Sequence, residues 1–140
     1  MEGIMKHKLI CLIIFLGFLF VTGFPDANTD TGTAPDANSQ LEKVKAIFKK
    51  SCTGCHGGLK PDQELNLEPA TMMSDTVNVS SMEKTDLKLI NTADPSMSYL
   101  LMKIKGDPNI AGKRMPKRKK PLADEAIKTI EEWIMSLKET

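Results

Sequence analysis

The chain has 140 residues and a formal net charge of +1. A balance so near neutrality implies no global polyanion partner, and the length carries one domain once a leader is set aside. Aromatic residues make up only 5% of the chain, so side chains alone fill a core of about 100 residues poorly unless something else occupies it.

Lys6, His7 and Lys8 give a basic start. Leu9 to Phe20 is apolar apart from Gly17, and Val21-Thr22-Gly23 supplies small residues suited to a signal peptidase. These three regions in this order predict a secretory signal over residues 1–23. The run is short for a membrane-spanning helix, which needs about 20 apolar residues. A retained anchor is the alternative and would tether the domain to a membrane through its N-terminus. Cys11 lies inside the apolar stretch behind Ile10, which is not the small residue a lipoprotein signal needs, so it is assigned to the leader. Phe24 to Gln40 is rich in Pro, Asp, Asn, Thr and Gly, and Pro-Asp-Ala-Asn occurs twice, at 25–28 and 35–38. Such a segment cannot bury a core and is expected to be a flexible linker over 24–40.

Ser39 and Glu42 stand three apart before a periodic apolar stretch, the pattern of a capping box. Leu41, Val44, Ile47 and Phe48 fall on one helical face, and Lys43, Lys45, Lys49 and Lys50 cover the other. The helix ends near Ser51 and runs into Cys52-Thr53-Gly54-Cys55-His56. This is C-x-x-C-H, the attachment signature of c-type haem. Two thiols at that spacing can each form a thioether to one haem vinyl group, and the following histidine is placed to be the proximal iron ligand. Two other chemistries use related patterns. A thioredoxin-like redox pair needs a strand before it, whereas the preceding residues here are helical. A structural zinc site needs four ligands, and Cys52, Cys55 and His56 would need a carboxylate to complete the set.

Gly57 and Gly58 break the helix, and residues 59–71 are irregular, punctuated by Pro61 and Pro69. The Nδ1–H of His56 needs an acceptor to fix its orientation, and a backbone carbonyl of this loop is expected to supply it. From Thr71 to Thr92 the pattern is weak. Val77 and Val79, then Leu87 and Leu89, suggest short extended pieces around a turn at 80–86. Asp94-Pro95 is an N-cap followed by Pro at the first helical position, and the helix it opens runs to about Lys105. Gly106 and Pro108 stop it. A loop from Asp107 to Pro121 holds Met115-Pro116. The last helix runs from about Ala123 to Lys138, with Asp124 and Glu125 complementing its dipole and a stripe of Ile127, Ile130, Trp133, Ile134 and Leu137.

This order over residues 41–138 resembles a small class I-type cytochrome c domain. It is similar in particular to periplasmic monohaem domains of environmental and predatory bacteria. The shared features are Thr76-Val77-Asn78-Val79, the Asp94 to Leu100 helix start, Arg114-Met115-Pro116 and Trp133-Ile134. The resemblance implies an all-α, cytochrome c-like fold over residues 41–140. Three main helices would surround one covalently bound haem c, with irregular or short extended segments between the first and second. It also implies that the first and last helices pack across each other.

The distal ligand decides what such a haem does. No second histidine follows the leader, so methionine is the remaining common donor. Met72, Met73, Met82, Met97, Met102, Met115 and Met135 are the candidates. Met97, Met102 and Met135 fall in expected helices. Met115 lies 59 residues after His56 in a loop before Pro116, where class I cytochromes place their axial methionine, and is the choice the resemblance makes. Cofactor-binding residues are therefore Cys52, Cys55, His56 and Met115, with His56 and Met115 on the metal.

Lys113, Arg114, Lys117, Arg118, Lys119 and Lys120 put six cations in eight residues. Such runs are commonly solvated surface. Beside the distal haem face, this one would form a positive rim able to steer an acidic redox partner. It is short and lacks interleaved aromatics, which argues against nucleic acid. The sequence thus predicts a periplasmic or otherwise exported monohaem cytochrome that carries single electrons and is not itself an enzyme. The alternatives are an inner-membrane anchored form facing the periplasm, and a haem domain with an open distal site acting as a gas sensor or oxidoreductase subunit.

Overall fold

The computed structural model describes residues 37–138, and within them the chain forms four α-helices. They are α1 (Ala37–Ser51), α2 (Met72–Thr76), α3 (Tyr99–Lys105) and α4 (Asp124–Ser136). The expected signal over 1–23, Cys11 and most of the 24–40 linker lie outside the described residues. The linker's last four positions do not: they form the first turn of α1, four residues ahead of the expected start at Leu41. Ser39 is therefore inside the helix rather than at its cap. Gln40 is buried, and its side-chain amide donates to Glu132 Oε2 of α4 at 3.3 Å, so the extra turn is held by tertiary contact.

α1 and α4 make the most extensive helix–helix contact, because both carry an apolar stripe at helical spacing. Val44 and Phe48 of α1 and Ile127, Ile130, Trp133 and Ile134 of α4 are all buried. Phe48 meets Trp133 edge to face, with ring centroids 6.3 Å apart and planes at 84°, the arrangement the ring quadrupoles favour. Leu100, Leu101 and Ile104 of α3 join the same core with Leu67, Met72 and Ile90.

The 72–92 region is more structured than its weak pattern indicates. Met72–Thr76 is a short helix, and the extended pieces beyond it pair only at isolated bridges, Val77 with Ile90 and Ser80 with Lys88. The expected helix from Asp94 to Lys105 is divided. Asp94 caps a 3-10 turn at Pro95–Met97 by accepting from the Ser96 N–H, Ser98 is extended, and α3 begins at Tyr99. Ser98 is fully buried and its hydroxyl accepts from the Asn91 N–H at 3.0 Å, a cross-link that an unbroken helix would not make. Gly106 closes α3 at φ 75°, a left-handed conformation that glycine adopts without the steric cost a Cβ imposes.

Candidate haem site

The last turn of α1 continues straight into the C-x-x-C-H segment. The N–H groups of Cys52 and Thr53 both donate to the Phe48 carbonyl, at 2.8 and 3.1 Å. Those of Cys55 and His56 both donate to the Cys52 carbonyl, at 3.1 and 2.9 Å. This tight turn carries Cys52, Cys55 and His56 to the wall of one cavity. Gly57 then passes so close to the turn that a Cβ there would sit 2.7 Å from the Thr53 carbonyl oxygen.

The next loop locks the histidine. The Asp62 N–H donates to the Cys55 carbonyl at 2.9 Å, and the Asp62 carbonyl lies 3.0 Å from His56 Nδ1. A carbonyl only accepts, so Nδ1 carries the proton and Nε2 is left as the free donor atom of the ring. Asp62 is thus the acceptor that the sequence left unnamed. The Leu67 N–H closes the loop on the His56 carbonyl at 2.8 Å.

The cavity has a volume of about 420 Å³ and brings Met115 and Pro116 from the loop before α4 to the same wall set as Cys52, Cys55 and His56. Ile104 of α3 and Leu122 add apolar surface. Met115 also lines an adjoining space of about 50 Å³, together with His56 and Met82. The other methionines fall elsewhere. Met72 is packed in the core, Met73, Met97 and Met135 are exposed, and Met102 does not border either space. Met82, more than half exposed, is the one further methionine near His56 among the described residues.

The methionine loop is fastened to α3. The Met115 N–H donates to the Lys103 carbonyl at 2.9 Å, and Arg114 Nε donates to the Ile104 carbonyl at 2.9 Å. Lys117, Arg118 and Lys119 are exposed and border the cavity. Arg114 is half-buried and occupied with α3, so it belongs to the loop's fastening rather than to a charged rim.

The other two readings of C-x-x-C-H do not fit this geometry. Burial pushes the Cys52 thiol up to about 11, with the Lys119 charge pulling the other way. A redox thiol needs the opposite shift, obtained at a helix N-terminus, whereas these cysteines follow the C-terminal end of α1. Among the described residues no group of three or more His, Cys, Asp or Glu side chains could hold a metal ion by itself. A cavity of this size falls within the usual range for cofactor pockets, and its wall carries both cysteines, an oriented imidazole and apolar surface. The residues present fit a covalently attached haem.

Sequence reasoning named none of three further residues of this site, although it expected a backbone carbonyl from the loop that holds the first. Asp62 acts through its backbone, Gln63 borders both spaces from a left-handed conformation (φ 58°), and Glu83 borders both from a turn. Only Glu83 has a side chain whose chemistry signals a role, and a lone glutamate in a polar turn gives no sign of it.

A small helical domain with a thioether-ready cysteine pair and a fixed imidazole on one cavity is a c-type haem protein. The chain belongs to the cytochrome c family: the family model described as Cytochrome c matches residues 41–138. Comparison with curated proteins and with solved structures gave no match. The domain binds haem c covalently through Cys52 and Cys55, and its family chemistry is haem-based electron transfer.

Proposed function

We propose that this chain is an exported carrier of single electrons whose haem iron is held between His56 and Met115. Haem iron supplies a one-electron couple when bound. The protein's part is to anchor it through two cysteines, orient one imidazole through Asp62, offer one thioether and keep water out. The observation that carries this reading is the position of Met115. It borders the same cavity as the attachment residues, on a loop fixed to α3 by backbone and side-chain hydrogen bonds. Two protein ligands leave no open coordination position, which favours electron transfer over gas binding. Thioether ligation also raises the potential relative to a second imidazole.

Redox proteins are the partners, acidic ones in particular, since Lys117, Arg118 and Lys119 are exposed at the cavity. Nucleic acid is not among them, given the near-neutral chain and the absence of aromatics in the basic run. The basic, apolar and small-residue order of residues 6–23 supports export to the periplasm, with the leader either cleaved or kept as a tether. Among the described residues no helix is long and apolar enough to cross a membrane.

The test is a spectrum of the reduced holoprotein under carbon monoxide. Wild type should react slowly and its oxidised form should show the weak far-red band of iron–methionine ligation. Met115→Ala should retain covalent haem, lose that band and bind carbon monoxide readily. If Met82→Ala or Met73→Ala has that effect instead, the ligand assignment is wrong.

A further inference from the structure

The methionine loop rests on a buried charged cluster. Lys103 lies in α3 with 6% of its surface exposed. Its ammonium donates to Glu83 Oε2 at 2.7 Å and to the Ala111 carbonyl at 2.9 Å. The Tyr99 hydroxyl donates to the same carboxylate oxygen at 3.0 Å and accepts from the Ala111 N–H at 3.0 Å. Two α3 side chains one turn apart therefore grip both backbone polar groups of Ala111, and both converge on Glu83.

Glu83 belongs to neither α3 nor the loop. It projects from a turn in which the Ser81 hydroxyl accepts from the N–H groups of Glu83 and Lys84, at 3.2 and 3.4 Å. Lys84 reaches from the same turn to the Asn109 carbonyl at 3.2 Å. Glu83 also borders both the main cavity and the space between His56 and Met115. Without its carboxylate, Lys103 would be a buried ammonium with one neutral acceptor, a costly state that favours swinging the side chain out. That movement would release the Ala111 carbonyl, four residues before Met115.

We propose that Glu83 is a positioning residue for the distal ligand: by fixing Lys103 and Tyr99 it clamps Ala111, and so holds the loop that presents Met115 to the iron. The proposal rests on the His56/Met115 reading above. The carboxylate needs no contact with the iron for this, because it acts through the backbone of the loop.

The holoprotein tests it by carbon monoxide binding, the far-red band and thermal melting. Wild type comes first. If it lacks the band, Met115 ligation fails and the clamp falls with it; if it has the band, only the clamp is on trial. Glu83→Ala should retain one covalent haem, weaken the band and bind carbon monoxide about tenfold faster, the factor that one charged hydrogen bond contributes to a two-state equilibrium. Tyr99→Phe removes a single oxygen and should move both readouts the same way by less. The double variant Glu83→Gln with Lys103→Met leaves no unpaired charge and should recover melting temperature relative to Glu83→Ala, yet still bind carbon monoxide fast, because the grip on the Ala111 carbonyl is gone. Wild-type behaviour in Glu83→Ala would overturn the proposal. So would wild-type behaviour in Tyr99→Phe if Glu83→Ala does not fold, or slow carbon monoxide binding in the double variant.

Discussion

The two sides of the cavity are built differently. On the side of the cysteines, the turn bonds within Cys52–His56, the Asp62 clamp and the Leu67 closure all lie within one short stretch. On the side of Met115, the anchors come from α3 and from the turn at Glu83, with sequence separations of 12 for Tyr99 to Ala111 and 20 for Lys103 to Glu83. The first side is assembled by local backbone bonds that form wherever the segment is folded. The second exists only once three distant segments have docked. Local opening in proteins follows such differences in contact, so the methionine side should loosen first. The Cys52–Leu67 segment should keep its geometry until global unfolding.

The largest effect comes from removing the attachment. Cys52→Ala with Cys55→Ala should abolish haem staining after denaturing electrophoresis, and staining that survives would refute covalent attachment at this motif. The apoprotein should also melt far below the holoprotein. Without the haem, the apolar side chains that line a cavity of about 420 Å³ lose packing partners and face water.

Two glycines give a sharper contrast between the sides. At Gly57 a new Cβ would meet backbone, the Thr53 carbonyl oxygen at 2.7 Å, so the C-x-x-C-H turn must shift, at a cost of about 1–3 kcal/mol. At Gly106 the φ is 75° and the close atom is Arg114 Cδ at 2.8 Å, on a side chain that can move. Strain there costs about 1–2 kcal/mol, and displacing Arg114 weakens its bond to Ile104. Gly57→Ala should therefore lower the yield of haem per chain. Gly106→Ala should leave that yield unchanged and speed carbon monoxide binding. Equal losses of haem in both variants would mean that the two sides are not separable.

The same division explains what the sequence revealed. C-x-x-C-H is local chemistry at fixed spacing and names its own residues. The stripes of α1 and α4 are equally legible, since Val44, Phe48, Ile127, Ile130, Trp133 and Ile134 repeat at helical intervals and are buried as that period requires. Proposing Met115 as a ligand needed the family resemblance, because nothing in its neighbours distinguishes a ligand from an exposed loop methionine. Glu83 was invisible, since its partners lie 16 and 20 residues away and on an element of their own. The acceptor for His56 was half legible: a backbone carbonyl of the 59–71 loop was expected and Asp62 supplies it, but every residue has one, and only the path of the chain selects which. The break at Ser98 has the same origin, since Asp94-Pro95 signals a helix start but not that a buried hydroxyl will divert the chain after one turn.

The smallest expected effect concerns charge at the cavity mouth. Lys117, Arg118 and Lys119 border the cavity from the methionine side, while Asp62 borders it from the other and the Glu83 carboxylate at its wall is paired with Lys103. A small anion approaching the mouth is therefore attracted from one side. Reduction of the oxidised protein by hexacyanoferrate(II) should slow as salt rises, since attraction between exposed charges is screened over about 8 Å at physiological ionic strength. Lys117→Gln with Arg118→Gln and Lys119→Gln should flatten that dependence and slow the low-salt rate severalfold without altering the haem spectrum. Rim charges act on encounter rather than on the docked state. Lys43→Gln with Lys49→Gln and Lys60→Gln removes the same charge from exposed positions that do not border the cavity, so net charge falls equally in both variants. If the two sets slow the reaction alike, only net charge matters and Lys117, Arg118 and Lys119 are ordinary solvated surface. If the first set alone does so, the methionine side carries the docking charge as well as the proposed ligand Met115, and a partner bound there presses on the less firmly held half of the site.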